Sequence, residues 1–412
     1  MDGRAFTERS FTGVINLADI RAARERVAKV ARPTPLDRCS SLSGLVGRPL
    51  LFKPEHLQRT GSYKIRGAYN LISQLAPGGE VVAASAGNHA QGVALAASIT
   101  GHRATIFMPV NAPLPKVEAT KGYGATVVLV GNVVDDCLIA AREHAETHGA
   151  LFVPPFDDPL VIAGQGTVGL EIADDAPDEL DVVVVPVGGG GLISGVATAL
   201  AHTRRRVKVI GVEAAGAPAM KDALTAGRCV VLDRVATMAD GIAVRSVSDL
   251  TLSHVQAYVD EVVVVTEEEI SQALLLLIER AKAVVEPAGA VGLAALLAGK
   301  IPGSGTACTI LSGGNVDPLL LMKLIDHGLS AAGRYLLLRI ILGDQPGALA
   351  ALTAAVAKMG LNVLEVEHHR SGLRLGVDEV EVLLTLETRD PDHRHDIVDD
   401  LQRAGFLVEL LR

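Results

Sequence analysis

Val182-Val183-Val184-Val185-Pro186-Val187-Gly188-Gly189-Gly190-Gly191-Leu192 is the stretch that decides the fold. Residues 182–201 carry no charge, and hydropathy alone would make them a membrane span. Pro186 and the four consecutive glycines exclude that, because inside a helix glycine costs about 1 kcal/mol and proline about 3 kcal/mol. The segment reads instead as an apolar strand over 182–187, a glycine loop, and a helix over 191–202. A strand without polar alternation is buried on both faces, which is the pattern of a parallel sheet covered by helices.

Outward from this unit the same grammar repeats. Further strands are expected at 50–53, 81–84, 104–108, 126–130, 208–213, 261–265 and 306–311. Helical spacing marks 18–31, 64–75, 89–100, 115–123, 133–148, 167–174, 267–283 and 289–298. Arg32-Pro33-Thr34-Pro35 breaks the first helix, and residues 1–15 read as a loose leader. Alternation of short apolar strands with amphipathic helices predicts an α/β fold. After residue 330 the order changes to strand 335–342, a helix ending near 360, strands 361–368 and 379–387, helix 391–404 and strand 406–411. That is βαββαβ, a ferredoxin-like arrangement. The boundary between the two parts falls near 331–333.

Composition narrows the function classes. With 412 residues, 49% hydrophobic and 21% charged, the chain is an ordinary globular protein with room for two or three domains. Trp is absent, aromatics make up 3%, and Gly reaches 42 residues, which favours close helix-on-sheet packing over aromatic cores. A net charge of -9 with no basic stripe argues against a nucleic-acid surface. Cys39, Cys137, Cys229 and Cys308 are scattered and form no CxxC, so they read as reduced thiols rather than as a zinc site or disulfide framework. No charged-then-apolar signal pattern opens the chain. A cytoplasmic protein without a membrane partner is expected.

Four segments carry chemistry. In Gly61-Ser62-Tyr63-Lys64-Ile65-Arg66-Gly67-Ala68 a turn places one amine at the mouth of a helix. Lysine is the side chain that forms a Schiff base with an aldehyde, although alone this octapeptide fits a surface lysine at a helix start equally well. Ser85-Ala86-Gly87-Asn88-His89-Ala90-Gln91-Gly92 follows a strand and opens a helix, where free N–H groups attract an anion. The glycines at 188–191 can form a concave nest for a phosphate. A dinucleotide-binding unit also places glycines there, with Glu213 as its acid, yet Ile193 and Ser194 break the GxGxxG spacing. Ser312-Gly313-Gly314-Asn315 ends strand 306–311 and supplies a hydroxyl for a ring nitrogen, or is a plain turn. Two weaker segments are Ala239-Asp240-Gly241-Ile242-Ala243-Val244, with a glycine against which a planar ring could lie, and Glu286-Pro287-Ala288-Gly289-Ala290, whose acid can be read as a helix-start carboxylate. His368, His369, His393 and His395 lack acidic or cysteine partners at ligand spacing and read as solvated.

Together these segments resemble the serine/threonine dehydratase family of pyridoxal-phosphate (PLP) enzymes over roughly residues 15–330. The remainder resembles an ACT regulatory domain. The resemblance implies PLP fold-type II, like the tryptophan synthase β chain. It implies a catalytic domain over 1–330, with a small subdomain at roughly 53–155 inserted in the large one, and an ACT domain over 335–412. It makes Lys64 the Schiff-base lysine and catalytic base. Asn88 holds the cofactor's 3′ oxygen, Gly188, Gly189, Gly190, Gly191 and Leu192 hold its phosphate, Ser312 meets the pyridine nitrogen, and Tyr63 and Gly241 flank the ring. The family more often has Phe where Tyr63 stands. Ser85, Gly87, Asn88 and His89 surround the substrate carboxylate. The implied reaction deaminates L-threonine, with L-serine a poorer substrate. A serine racemase-like or β-replacement enzyme, an NAD-binding oxidoreductase and a silent amino-acid sensor stay open as alternatives. The implied partners are a branched-chain amino-acid effector and further copies of the chain in a homo-oligomer, dimer or tetramer. Some relatives hold a divalent cation with an aspartate on the loop after the Glu213 strand. Ala219 stands at that position, so no metal is assigned, and a monovalent ion stays open.

The resemblance also sets a stereochemical expectation. Racemase relatives carry a second serine where this chain has Ala86, as the base opposite the lysine. Ala86 cannot move a proton, so protons should leave and return on the lysine face only. L-serine incubated in deuterated buffer should then give no D-serine by chiral chromatography, and Ala86→Ser should raise it. D-serine forming as fast as ammonia in the unaltered enzyme would contradict a single base.

Overall fold

The structure is a computed structural model that describes residues 14–203, 207–331, 333–370 and 375–411. Most of the leader expected at 1–15 lies outside the described residues, as does Ala332 at the expected boundary. The chain divides into two compact units, Met1–Pro318 and Leu319–Arg412.

The first unit holds two sheets. The larger has six strands in the order Asp37–Arg38, Leu50–Lys53, Thr306–Ile310, Leu180–Pro186, Lys208–Ala214, Glu261–Val265. All its pairs are parallel except the short edge pair of Asp37–Arg38 with Leu50–Lys53. The smaller sheet is parallel throughout, in the order Thr126–Leu129, Arg103–Met108, Glu80–Ala84, Leu151–Phe152. Val182, Val183, Val184 and Val185 are all buried, as a strand covered on both faces requires. The α/β expectation is met, and each predicted strand forms.

Two helices differ from expectation. The helix expected at 167–174 begins at Pro159 and runs to Asp175. Asp158 caps it, its carboxylate accepting from the N–H groups of Leu160 and Val161. Gly164, Gly166 and Gly169 disguise it in the sequence, where they read as breakers. In the fold they are contact surfaces. A Cβ at Gly164 would stand 2.5 Å from the Arg66 carbonyl oxygen, and one at Gly166 would stand 2.9 Å from the Gly195 carbonyl oxygen. Pro159–Asp175 therefore packs backbone against backbone on the lysine helix Lys64–Ile72 and on the glycine-loop helix Gly191–Ala201. Glycine thus serves close packing of helix on helix as well as of helix on sheet, where a Cβ at Gly292 would collide with the Thr309 hydroxyl. The helix expected at 267–283 is regular only over Glu267–Leu276. It continues as a π turn, Leu277–Ala281, and Lys282 at φ 57° ends it. Helices Ser40–Val46, Ala219–Ala226, Asp249–Tyr258 and Pro318–Ala331 were not foreseen.

Charge also fixes the lysine helix. Arg66 is fully buried and donates to both oxygens of Glu55 at 2.8 Å, to both oxygens of Glu171 at 2.5 and 3.0 Å, and to the Thr167 hydroxyl at 3.1 Å. Lys53 donates to Glu171 at 2.6 Å and to the Thr34 carbonyl, and Thr34 donates to Glu55 at 2.6 Å. All five guanidinium hydrogens are used, which is what makes burial of this group tolerable.

The second unit begins in helix Pro318–Ala331. Its sheet is antiparallel, in the order Val363–His369, Glu379–Glu387, Tyr335–Gly343, Leu407–Leu410. Helices Ala348–Lys358 and Pro391–Arg403 complete the βαββαβ order. Leu336, Leu338, Ile340 and Leu342 alternate inward and meet Leu352, Val356, Val382, Leu384 and Leu401.

Candidate active site

Lys64, the glycine loop and the 85–89 turn all face one cavity of about 540 Å³ in the first unit. Each lies at the C-terminal end of a parallel strand or where the chain enters a helix, the usual ligand position in open α/β sheets. Tyr63, Ser85, Gly87, Asn88, His89, Gly188, Gly189, Gly190, Gly191, Leu192 and Gly241 line it, together with Ala86, Phe156 and Glu286. Ser312 is buried and is not among the lining residues. Its carbonyl accepts from the Tyr63 N–H at 3.2 Å, which seats it directly behind the lysine loop.

The Lys64 amine donates to the Pro155 carbonyl at 2.8 Å. Removal from bulk water lowers its pKa to about 8, against a smaller opposing pull from Glu286. A substantial neutral fraction at physiological pH suits both a nucleophile and a base.

The glycine loop is shaped by contacts that no side chain could survive. A Cβ at Gly188 would stand 2.9 Å from Ile242 Cα, at Gly189 2.1 Å from the Phe156 ring, and at Gly191 2.6 Å from Gln165 Oε1. Gly190 at φ 90° caps helix Gly191–Ala201. The loop is therefore bare backbone at the start of a helix and on the cavity wall, which is a seat for an anion.

The carboxylate of Glu286 is a member of the site, not a helix cap. Glu286 occupies the N-cap position of Pro287–Leu297 but makes no capping bond. Its Oε1 accepts instead from Asn88 Nδ2 at 2.6 Å. Burial first, and then Asp240, push its pKa up to about 7, against the pull of Lys116, Asn88 and Lys64. Asp240, from the singled-out 239–244 segment, pairs at 2.6 Å on the cavity wall with Lys116, which the sequence did not point to. The His89 ring is directed at the Val153 carbonyl at 2.8 Å. Burial, then the charge of Lys64, bring its pKa down to about 3, so it is a neutral ring at physiological pH. What His89 offers an anion is its backbone N–H in the first turn of Asn88–Thr100. Glu213 lies apart from the cavity lining, its carboxylate accepting from the N–H groups of Met220 and Lys221. Among the described residues, no group of three His, Cys, Asp or Glu side chains stands at metal-binding distance.

Residues 27–313 match the family described as pyridoxal-phosphate-dependent enzyme, and residues 336–406 match the ACT domain. The L-threonine ammonia-lyase of Thermotoga maritima is 48% identical over 402 residues, covering 97% of this chain and all of that protein. That of Geobacter sulfurreducens is 46% identical over 399 residues, 95% of this chain and 98% of the relative. The processed form of threonine deaminase isoform 2 from Solanum lycopersicum superposes with a TM-score of 0.72 at 39% identity, over 76% of this chain and 86% of that one. The cavity fits pyridoxal phosphate on its own terms: one walled space offers an amine of lowered pKa and a side-chain-free anion seat.

Glu286 sets a pH dependence. Its folded pKa of about 7 stands above the ordinary 4.5, so the folded state binds more protons between those values. Its favourable contribution is complete below about 4.5 and is lost as pH rises to about 7. Glu286→Gln stays neutral throughout. Relative to that variant, the apoprotein should lose melting temperature between about pH 5 and about pH 8. Parallel curves for the two proteins would show that Glu286 titrates normally.

Proposed function

The chain belongs to the pyridoxal-phosphate-dependent enzymes, and on that footing we propose that it is an L-threonine ammonia-lyase, converting L-threonine to 2-oxobutanoate and ammonia. The observation that carries this reading is the convergence of the Lys64 amine, the Gly188–Gly191 backbone and the Asn88 amide on one cavity. When bound, pyridoxal phosphate draws electrons from the substrate Cα, which lets a β-hydroxyl depart.

The chain's own residues supply the rest. Lys64 Nζ holds the cofactor aldehyde and is the base at Cα. The N–H groups at Gly188, Gly189, Gly190, Gly191 and Leu192 hold the phosphate. Asn88 Nδ2 meets the ring oxygen, and Tyr63 and Gly241 flank the ring. Ser312, behind Tyr63, is the partner of the ring nitrogen. Being a neutral hydroxyl, it gives that nitrogen no proton, which moderates electron withdrawal and favours prompt elimination. Ser85, Gly87, Asn88 and the His89 N–H receive the substrate carboxylate at the helix start. L-serine, one methyl smaller, is a second and poorer substrate.

The ACT domain supports small-molecule regulation. We assign residues 1–330 to catalysis and 335–412 to sensing. A branched-chain amino acid is the effector, bound around Asp344–Leu349, and the chain works as a cytoplasmic homo-oligomer. Among the described residues no helix is long and apolar enough to cross a membrane.

Three measurements test this. With a panel of hydroxy-amino acids, 2-oxo acid and ammonia should appear in equal amounts, fastest from L-threonine. Lys64→Ala should abolish both turnover and the visible band of the lysine-bound cofactor. Wild-type turnover in that variant would remove Lys64 from its role. Separately, isoleucine or valine should shift the apparent affinity for threonine by roughly 5- to 150-fold, the range of about 1–3 kcal/mol typical of such coupling. A chain ending at Gly333 should not respond. Equal responses would place the effector elsewhere.

A further inference from the structure

Asn315 ends the Ser312-Gly313-Gly314-Asn315 segment and holds neither cofactor nor substrate in the proposed reaction. Its Nδ2 donates to the Thr60 carbonyl at 2.6 Å and to Asn88 Oδ1 at 2.7 Å. Asn88 Nδ2 in turn donates to Glu286 Oε1 at 2.6 Å. The direction of this chain is fixed at one end by chemistry. A backbone carbonyl can only accept, so Asn315 must turn its amino group, not its oxygen, to Thr60. The second hydrogen of that amino group then needs an acceptor, and Asn88 supplies Oδ1. Asn88 is thereby forced to present its amino group to Glu286 and the cavity. Reversing Asn88 would set two oxygens, or two amino groups, against each other at each end.

The same amide also secures the approach to Lys64. Thr60 stands at φ 62°, a conformation that non-glycine residues rarely adopt, and Gly61 follows at φ 69°. The Gly314 N–H donates to the Gly61 carbonyl at 2.9 Å, the Tyr63 N–H donates to Ser312, and Ser62 bridges Gly313 in antiparallel fashion. Residues 60–63 and 312–315 thus form a short two-stranded clasp directly before the lysine. Asn315 side-chain atoms fill the space beside Gly61, where a Cβ would stand 2.4 Å from Asn315 Oδ1.

We propose that Asn315 is a positioning residue whose single amino group, anchored on the Thr60 carbonyl, orients Asn88 toward the cofactor ring. This rests on the reading in which Asn88 meets the ring oxygen of pyridoxal phosphate. Asn315→Asp is the test, since it keeps the shape and sets an acceptor against both Thr60 and Asn88. In the apoprotein, with asparagine labelled by nitrogen-15, the Asn88 side-chain amide resonances should move. In the holoenzyme the visible band should shift and the dissociation constant for pyridoxal phosphate should rise roughly 10-fold, the scale of one lost hydrogen bond. In an Asn88→Ala background the same substitution should weaken cofactor binding less than about 2-fold, because residues that act through one another are not additive.

Equal losses in both backgrounds would mean that Asn315 acts through Thr60 or the fold alone, and would overturn the proposal. So would unmoved Asn88 resonances. If Asn315→Asp fails to fold, Asn315→Ala takes its place in the same cycle with the same expectations. A wild-type protein that binds no pyridoxal phosphate, yet shows the Asn88 resonances moving in the variant, would sink the functional reading while leaving the orienting contact in place.

Discussion

Three helices meet in this fold with almost nothing between them. Gly164 lies against the Arg66 backbone on one side of helix Pro159–Asp175, and Gly166 lies against Gly195 on the other. At contacts of this kind no side chain remains to adjust, so the spacing of the helices is set by backbone atoms in van der Waals contact. One flanking helix begins with Lys64 and the other with Gly191. The spacing between the start of the lysine helix and the anion seat is therefore a property of the backbone itself. An alanine at Gly164 would move a reactive atom as well as strain the core.

The electrostatics reinforce this geometry. Arg66 and Lys64 are two positions apart on one helix and point in nearly opposite directions. Arg66 enters a closed set of charges with Glu55, Glu171 and Lys53, while Lys64 enters the cavity. Buried ion networks are poor sources of net stability but tolerate few alternative arrangements. Here the network selects the rotation of the helix that aims Lys64. The cavity meanwhile shifts its own titrating groups toward neutrality. Lys64 and His89 go down and Glu286 goes up, each with burial as the leading cause. At the glycine loop and at the start of helix Asn88–Thr100 the groups offered to an anion are backbone dipoles.

Most of the fold could be read in the sequence because its signals are local. Uncharged valine runs and the glycine loop each lie within a few consecutive positions. The contiguous site motifs at 61–68, 85–92 and 188–192 were legible for the same reason. What escaped depends on partners far away in the chain. The role of Glu286, named in a weaker segment but readable as a helix-start carboxylate, shows only through Asn88, 198 residues earlier, and that of Lys116 only through Asp240. Asn315 looked like the end of a turn until Thr60 and Asn88 were seen on either side of it. The start of helix Pro159–Asp175 was hidden because its glycines serve tertiary contact against their local propensity. The early end of Glu267–Leu276 follows from a π turn for which apolar spacing gives no sign.

The order of strands in the larger sheet bears on how the chain is made. Thr306–Ile310 lies between Leu50–Lys53 and Leu180–Pro186, although it is the last of the six to be synthesised. Until it emerges from the ribosome, Leu50–Lys53 has no parallel neighbour, and the trio Leu180–Pro186, Lys208–Ala214 and Glu261–Val265 presents an open apolar edge. Unpaired edges of this kind invite pairing with other chains. The four-stranded sheet, whose strands all lie between residues 80 and 152, faces no such delay. Biogenesis therefore has a vulnerable interval: one half is already assembled while the other waits, sticky and incomplete, for a single late strand to enter its middle.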